Sequence, residues 1–308
     1  MILTVTLNPC IDKSSHAEAL KPDSKLRCTE VVHEPGGGGI NVSKALRKLG
    51  LYSTAVFPSG GHNGNMLQSL LTAEKIDFHA VDTHVETREN WIVVEDKTND
   101  QYRFTFPGRG VEPDAIVQLI EDIKSYSPGF IVASGSLPPG LPPYFYGLLV
   151  KTASAIGAKC IVDTSGEALK ALEGRNAFLI KPNIGELSSL LGGKHIDMKD
   201  VPHAARQVIR NRFAENVAVS MGPLGAWLIT ASEQYFAAAP DVPKRSTVGA
   251  GDSMVAGITY MLQKHEPLDK ALAMGVACGS AATMNEGTQL FKAEDAFRLY
   301  EQIRAGVV

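Results

Sequence analysis

The turn formed by residues 246–252 has the residue types that phosphate chemistry requires. It reads Ser-Thr-Val-Gly-Ala-Gly-Asp, and apolar residues at helical spacing follow at once. Gly249, Ala250 and Gly251 are therefore predicted to lie at a helix N-terminus, where free backbone N–H groups and the helix dipole favour an anion. Asp252 has two interpretations: a helix cap, which capping statistics favour for an aspartate taken alone, or a general base beside the anion. The flanking glycines favour the general base.

A second glycine-rich segment precedes another predicted helix. Residues 34–42 read Glu-Pro-Gly-Gly-Gly-Gly-Ile-Asn-Val. Consecutive glycines let the backbone approach a ligand closely, but they also form hinges and plain loops. Asn41 is either a helix cap or a side chain that hydrogen-bonds a sugar hydroxyl. The glycine run taken alone is therefore a weak indication of function.

A third polar segment follows the predicted strand 177–180. Residues 181–186 read Lys-Pro-Asn-Ile-Gly-Glu, and the spacing of Asn183 and Glu186 places both on one face of the next helix. The pair has the pattern of a capping box, in which each side chain accepts a hydrogen bond from the other's backbone N–H. The same two residues are equally suited to supply oxygen ligands to Mg²⁺ or to its water shell. The sequence favours neither interpretation.

Apolar strand-like runs alternate with helical patterns along most of the chain. Strands are predicted at 2–7, 54–57, 78–81, 130–133, 159–163 and 177–180. Helices are predicted at 40–49, 65–75, 144–156, 166–172, 184–191, 251–264, 268–285 and 293–305. Three runs at 217–220, 226–230 and 235–238 are interpreted as antiparallel edge strands. The alternation predicts a mostly parallel sheet with helices on both faces, and such sheets bind ligands beyond the carboxyl ends of their strands.

Two segments, 14–33 and 87–107, depart from this pattern because polar and apolar residues alternate along them. A turn-rich loop at 96–100 separates two strand-like runs within the second segment. We expect these segments to form a small separate sheet with one solvated face, which would act as a lid over the main sheet.

The composition is that of an ordinary globular protein, and it excludes several functions. The chain has 308 residues and a formal net charge of −3, which favours neither nucleic acid nor an anionic membrane as a partner. It contains no P-loop, dinucleotide-binding glycine motif, HExxH zinc motif or nucleophile elbow. With no signal peptide and no apolar stretch near 20 residues, a cytoplasmic protein is expected. The cysteines are far apart and are expected to be buried: Cys10, Cys28, Cys160 and Cys278.

Taken together, the motifs resemble those of the PfkB (ribokinase-like) family of carbohydrate kinases. The segments that carry the resemblance lie in order along nearly the whole chain: 8–12, the glycine run with 40–42, 134–140, 181–183 with Glu186, and 247–252. The last of these motifs is highly specific. The resemblance implies a ribokinase-like three-layer αβα sandwich with a mostly parallel sheet. It also implies one domain over 1–308, with a small β-sheet lid formed by inserted segments at about 12–33 and 87–107.

Within this family the chain is most similar to the phosphosugar kinases. The resemblance implies ATP-dependent phosphoryl transfer to the C1 hydroxyl of fructose 6-phosphate, giving fructose 1,6-bisphosphate in glycolysis. The 1-phosphofructokinases and tagatose-6-phosphate kinases usually carry Lys within the glycine run, whereas positions 36–39 here are all glycine. Those two activities remain alternatives. A non-catalytic sugar-phosphate sensor is an alternative from another class, which the presence of Asp252, Asn183 and Glu186 disfavours.

The resemblance also implies a role for each residue of the site. Asp252 would accept the proton of the attacking hydroxyl, and the backbone of Gly249, Ala250 and Gly251 would hold the charge of the transferred phosphoryl group. The substrate contacts would be Asp12, Lys25, Arg27, Gly37, Gly38, Gly39, Asn41, Arg88, Asn90, Arg103 and Ser136. The nucleotide contacts would be Lys181, Asn183, Ser220, Gly222, Gly225, Thr247 and Ser280. Asn183 and Glu186 would hold Mg²⁺ through water, and Ser246, Val248, Asn285 and Gly287 would surround a monovalent cation such as K⁺.

Elementary electrostatics agrees with these roles. A dianionic sugar phosphate needs cations at its far end, and arginine offers a bidentate fork. Arg88 and Arg103 lie on the predicted lid, so substrate binding would draw the lid shut and exclude water. The resemblance implies that such lids pair between subunits, so a homodimer is expected to cover the apolar face of this lid, which consists of Trp91, Val93, Phe104 and Phe106.

Overall fold

The computed structural model describes residues 1–287 and 289–307, and in that part of the chain thirteen strands form two separate sheets. The strands are β1 (Ile2–Val5), β2 (Cys10–Ala17), β3 (Val32–Gly36), β4 (Thr54–Ser59), β5 (Asp77–Asp82), β6 (Arg88–Glu95), β7 (Asp100–Thr105), β8 (Phe130–Ser134), β9 (Lys159–Asp163), β10 (Ala177–Ile180), β11 (Ala214–Ser220), β12 (Ala226–Ile229) and β13 (Gln234–Ala237). Nine of them form the larger sheet, in the order β13-β12-β11-β10-β9-β8-β1-β4-β5.

Helices connect most of the strands of the larger sheet. They are α1 (Gly38–Lys48), α2 (Gly61–Ala73), α3 (Pro113–Ser125), α4 (Phe145–Ala155), α5 (Gly166–Lys170), α6 (Ile184–Leu190), α7 (Val201–Arg210), α8 (Ala250–Gln263), α9 (Leu268–Thr283) and α10 (Ala293–Ile303). Neither α3 nor α7 was predicted from the sequence, although both have an apolar stripe at helical spacing. In α7 the buried residues on this stripe include Val201, Ala205 and Val208.

The larger sheet is parallel from β5 through to β11, and its only antiparallel pairings are β11 with β12 and β12 with β13. The prediction that β11 is an antiparallel edge strand is therefore wrong in part, because β11 pairs in parallel with β10 and is an interior strand. The carboxyl ends of the seven parallel strands lie along one side of the sheet. That side is where a ligand site is expected.

Layers of helices cover both faces of this sheet. On β8, Ile131 and Ala133 pack into a core with residues of α3, α4 and α7, whereas Phe130 and Val132 pack on the opposite face with residues of α1, α8 and α9. Successive side chains of a strand point to opposite faces, so a strand buried on both sides is apolar throughout. The predicted arrangement of two helix layers around a mostly parallel sheet is confirmed.

The smaller sheet has four strands in the order β3-β2-β6-β7. Its central pair, β2 and β6, is parallel, and Asp12 is the register partner of Asn90. Residues 18–31 form only an isolated bridge, between Ala17 and Cys28, so the strands occupy less of the first inserted segment than the sequence suggested. Cys28 is exposed, and its predicted burial is wrong because it belongs to this extended segment rather than to a strand. Along the described chain, no helix combines the length and apolarity needed to cross a membrane.

Candidate active site

The carboxyl group of Asp252 lies in the first turn of α8 and is held by two other elements. Asn41 Nδ2, on α1, donates to Asp252 Oδ2 at 3.0 Å, and Ser134 Oγ, at the end of β8, donates to Asp252 Oδ1 at 3.0 Å. The N-cap of α8 is Gly249, with a φ of 72°, and the N-cap of α1 is Gly37; no side chain caps either helix. The helix-cap interpretation is therefore wrong for both Asp252 and Asn41.

Two further ionisable groups lie close to Asp252. Lys181, directly after β10, is buried and forms an ion pair with the largely buried Asp163 at the end of β9, with Lys181 Nζ 3.2 Å from Asp163 Oδ1. The backbone at Gly251 packs against this pair, because a Cβ atom there would lie 3.4 Å from Lys181 Nζ. A buried cation thus adjoins the amide groups that begin α8, and both favour an anion at the same place.

The electrostatics around Asp252 make it a weaker acid than usual. Burial, and then the charge of Asp163, raise the pKa of Asp252 to about 6, although hydrogen bonds from Asn41 and Ser134 act in the opposite direction. Burial also raises the pKa of Asp163. Burial alone would lower the pKa of Lys181, but its contact with Asp163 raises it, so Lys181 is a cation. A carboxylate with a pKa near 6 is mostly ionised at neutral pH and basic enough to accept a proton.

Several residues predicted to contact the sugar gather on the two central strands of the smaller sheet, β2 and β6. Asn90 Nδ2 donates to Asp12 Oδ1 at 2.8 Å, and Cys10 Sγ donates to the same oxygen at 3.3 Å. Burial raises the pKa of the Cys10 thiol well above its usual range, so the thiol keeps its proton and acts as a donor. The carboxylate of Asp12 is buried and held on one oxygen, which leaves the other oxygen for a further partner.

Arg88 connects this group to the loop after β1. Its Nε and Nη2 donate to the carbonyl oxygen of Asn8, and its Nη1 donates to Asn90 Oδ1 and to the carbonyl oxygen of Phe106. Asn8 Nδ2 in turn donates to Ser136 Oγ at 3.2 Å. The structure therefore brings Arg88, Asn90 and Ser136 together through Asn8.

The glycine run lies between Asp12 with its hydrogen-bond partners and Asp252 with its hydrogen-bond partners. A Cβ atom at Gly36 would overlap Asp12 Oδ2, and a Cβ atom at Gly38 would overlap Ser134 Oγ. At Gly37 a side chain is disfavoured by the backbone itself, because φ is 117°. Gly38 and Gly39 belong to α1, which begins two residues earlier than predicted. The run is thus a close-packed wall between the two groups rather than a hinge.

The other predicted substrate contacts lie farther from these groups. Arg103 Nη2 on β7 donates to Thr247 Oγ1 at 3.4 Å, so it links the smaller sheet to the turn before α8. Lys25 and Arg27 lie in the exposed segment between β2 and β3, and neither side chain forms a hydrogen bond or ion pair with any described residue. The isolated chain does not bring Lys25 or Arg27 into the site.

Asn183 and Glu186 form a capping box at the start of α6. Asn183 Oδ1 accepts the Glu186 N–H at 2.9 Å, and Glu186 Oε2 accepts the Asn183 N–H at 2.8 Å. The capping interpretation is confirmed, and the free lone pairs of both side chains leave a contact to a hydrated metal compatible with it. Ser220, at the end of β11, bridges to Asn183, and Gly222 and Gly225 bound the turn that follows.

The residues predicted to surround a monovalent cation lie where the segment before α8 meets the end of α9. The Ser246 N–H donates to the carbonyl oxygen of Thr283 at 3.3 Å, and the side chain of Asn285 donates to a carbonyl of α9. Gly287 lies in the following turn with a φ of 57°. Ser280, predicted to lie near the adenine, is half-buried on α9.

Asp163 and Ser134 were given no role in the sequence analysis. Each is the last residue of a buried parallel strand, β9 or β8. A polar residue at the carboxyl end of such a strand is the sequence signal that identifies a site position, because those ends line the ligand crevice.

Known proteins resemble this chain in sequence and in fold. A family model described as pfkB family carbohydrate kinase matches residues 5–295. The chain is 42% identical over 301 residues to the ATP-dependent 6-phosphofructokinase isozyme 2 of Escherichia coli (strain K12), with 97% of each protein covered. It is 34% identical over 295 residues to a 1-phosphofructokinase of Bacillus subtilis (strain 168), covering 94% of this chain and 96% of that one. Its fold matches a crystal structure of phosphofructokinase-2 from Escherichia coli in complex with potassium, with a TM-score of 0.94, 41% identity and 98% of each chain covered.

Proposed function

Because the chain belongs to the pfkB family of carbohydrate kinases, we propose that it transfers the terminal phosphoryl group of ATP to the C1 hydroxyl of fructose 6-phosphate. The observation that carries the proposal is the placement of Asp252, a carboxylate held by Asn41 and Ser134 beside the amide groups that begin α8. The choice of sugar rests on the 42% identity to a 6-phosphofructokinase and on the all-glycine run at 36–39.

In this proposal each group acts on a different part of the reaction. Asp252 accepts the proton of the C1 hydroxyl as that oxygen attacks phosphorus, and ADP leaves on the opposite side. The backbone N–H groups at Gly249–Gly251 and the Lys181 cation stabilise the negative charge on the phosphoryl oxygens. Asp12 and Asn41 orient the sugar hydroxyls, with the glycine run forming the wall between them. Catalysis then comes mainly from positioning and electrostatic stabilisation.

We assign the cation sites to residues with oxygen donors. Within the described residues, no three His, Cys, Asp or Glu side chains cluster as a protein-only metal cage would require. Asn183 and Glu186 therefore suit Mg²⁺ that reaches the protein with ATP and keeps mostly phosphate and water ligands. When bound, Mg²⁺ neutralises phosphate charge. K⁺ is proposed at Ser246, Val248, Asn285 and Gly287, where the segment before α8 is tied to the end of α9 by two N–H groups that donate to the Thr283 carbonyl oxygen.

The substrate assignment is tested by comparing three acceptors. Release of ADP, measured by a coupled assay with Mg²⁺ and K⁺ present, is expected to be fastest with fructose 6-phosphate. Faster turnover with fructose 1-phosphate or tagatose 6-phosphate would move the assignment to that sugar, and the 34% identity to a 1-phosphofructokinase makes this comparison necessary. No turnover with any of the three would refute the proposed function.

The smaller sheet is proposed to act as a lid. Along β6 and β7, Asn90 and Arg103 lie on one face, whereas Trp91 and its register partner Phe104 lie on the other. The face with Asn90 and Arg103 therefore points to the proposed substrate. Closure of the sheet over a bound sugar phosphate would exclude water, the competing phosphoryl acceptor.

Replacement of Arg88 by Ala is expected to raise the KM for fructose 6-phosphate by about 10–100-fold, because hydrogen bonds to a charged group contribute about 1.5–3 kcal/mol. The KM for ATP is expected to change little. Steady-state kinetics with each substrate varied in turn measures both constants. Arg298→Ala removes an arginine from a surface ion pair on α10 and is the control. An unchanged KM for the sugar phosphate would contradict the role of Arg88.

A homodimer is proposed to cover the outer face of the smaller sheet. Edge strand β7 exposes Tyr102 (40%) and Phe104 (50%), and Phe106 (48%) is exposed directly after the strand ends. An exposed aromatic patch on an open sheet edge favours pairing with another copy. Phe104→Arg is expected to dissociate the dimer at micromolar concentration, as measured by sedimentation. Tyr144→Arg, a change at an exposed aromatic residue beside α4, is the control. A wild-type chain that sediments as a monomer would contradict the proposal.

A further inference from the structure

We propose that Ser134 is a positioning residue for Asp252, which fixes the direction of the carboxylate and stabilises its ionised form. The part that concerns turnover rests on the proposed function, but the interaction itself does not. The resemblance at 134–140 implies a substrate contact for Ser136 and predicts no role for Ser134. The structure separates the two serines, because Ser134 is buried and bonded to Asp252 whereas Ser136 is exposed and bonded to Asn8.

The geometry gives Asp252 one donor for each carboxylate oxygen. Ser134 Oγ approaches Oδ1 and Asn41 Nδ2 approaches Oδ2, both at 3.0 Å, so the plane of the carboxylate is fixed from two sides. Ser134 is 1% exposed, and water cannot replace its hydroxyl. An ionised carboxylate only accepts hydrogen bonds, so the Ser134 hydroxyl must donate. Each carboxylate oxygen keeps lone pairs with which to accept the proton of a substrate hydroxyl.

The surroundings of Ser134 leave its side chain little freedom. A Cβ atom at Gly38 would overlap Ser134 Oγ and would lie 2.7 Å from the Ser134 carbonyl carbon. The glycine run thus packs directly against the residue that holds Asp252. A side chain at Gly38 would displace the Ser134 hydroxyl from Asp252, so this position requires glycine.

The charged groups around Asp252 largely offset one another, so neutral hydrogen-bond donors matter for the stability of its ionised form. Asp163 from β9 disfavours ionisation of Asp252, Lys181 from the segment after β10 favours it, and Tyr146 from α4 is uncharged because burial raises its pKa. Lys181 is already paired with Asp163. Two hydrogen bonds, from Ser134 and Asn41, therefore provide much of the stabilisation of the Asp252 anion against its burial.

The pKa of Asp252 can be measured directly, without turnover. The full-length protein is labelled with aspartate carrying ¹³C at the side-chain carboxyl, and the Asp252 resonance is assigned by its absence in Asp252→Asn. Ser134→Ala is expected to move the titration of this resonance upward by about one pH unit, because a hydrogen bond to the charged form is lost. Ser43→Ala is the matched control: Ser43 is 1% exposed on α1, and its hydroxyl lies 2.8 Å from Thr4 Oγ1. It removes an equally buried serine hydroxyl that does not touch Asp252.

The outcomes are distinct. An upward shift in Ser134→Ala with no shift in Ser43→Ala supports the proposal. The same titration in Ser134→Ala and the wild type overturns it, as does an equal shift in both variants. In the kinase assay, the acid limb of the pH profile of kcat/KM is expected to move by the same amount, and Ser134→Ala is expected to cost little further kcat in an Asp252→Asn background. A resonance that shifts in a protein inactive on all three sugar phosphates would refute the proposed function and leave the role of Ser134 supported.

Discussion

Asp252→Asn is expected to lower kcat by about 10²–10⁴-fold, the range that a positioned general base contributes. The amide has nearly the shape of the carboxylate, and its one oxygen can still accept the hydrogen bond from Asn41 while its NH2 group donates to the Ser134 hydroxyl, which can accept as well as donate. It cannot accept the proton of the sugar hydroxyl. The KM values are expected to change far less than kcat. A coupled ADP-release assay with fructose 6-phosphate measures the loss. Near-wild-type turnover would show that another group takes the proton.

Asp114→Asn is the matched control for this change. Asp114 also lies in the first turn of a helix, α3, but it is exposed and distant in the chain from the site. If the role of Asp252 were only to complement the helix dipole, the two substitutions would have similar small effects on stability and none on kcat. A loss of kcat confined to Asp252→Asn separates the two interpretations.

The same substitution has an expected effect on stability, with a sign set by the pKa. The folded state raises the pKa of Asp252 to about 6 from an ordinary value near 3.8, so the folded state binds the proton more tightly than the unfolded chain. This contribution to stability is fully present below about pH 4 and is lost as pH rises through about 6. Asp252→Asn should therefore be more stable than the wild type by on the order of 2 kcal/mol at pH 7–8, with the difference vanishing below pH 4. Urea denaturation across this pH range measures it.

Lys181→Met is expected to destabilise the protein by about 3–5 kcal/mol, the usual cost of leaving one member of a buried ion pair unpaired. Lys181 is 6% exposed and is paired with Asp163, whose side chain is 15% exposed and would remain there without its cation. Activity is expected to fall as well, because the phosphoryl oxygens lose a nearby positive charge. Denaturant unfolding and the kinase assay measure the two effects on one sample.

Two further variants separate stability from activity at this position. Asp163→Asn combined with Lys181→Met removes both charges and should restore much of the lost stability without restoring turnover. Lys170→Met breaks an exposed ion pair with Glu167 and should change neither property. A Lys181→Met protein as stable as the wild type would mean that water or another group solvates Asp163, and would contradict the buried-pair description.

The sequence by itself predicted most of the strands and helices. Apolar runs such as 130–133 predicted β8, and apolar residues at helical spacing after Asp252 predicted α8 with Gly249–Gly251 at its N-terminus. These features depend on neighbours within a few residues, so hydrophobic periodicity and glycine placement are enough to reveal them. α7 was not predicted although its buried residues recur at helical spacing, so the same periodicity could have revealed it.

The tertiary structure decided what surrounds Asp252. Asn41 and Ser134 are 211 and 118 residues away from it in the chain, and Asp163 meets Lys181 only because β9 and β10 are neighbours in the sheet. Hydrophobic patterns predict strands but not which strands pair, so the two donors and the buried ion pair could not be read from the motifs. The acidity of Asp252 depends on these long-range neighbours, because burial and nearby charge set it. The sequence therefore determined that a carboxylate stands beside a helix N-terminus, and only the packing of distant elements determined the two donors that hold it and its raised pKa.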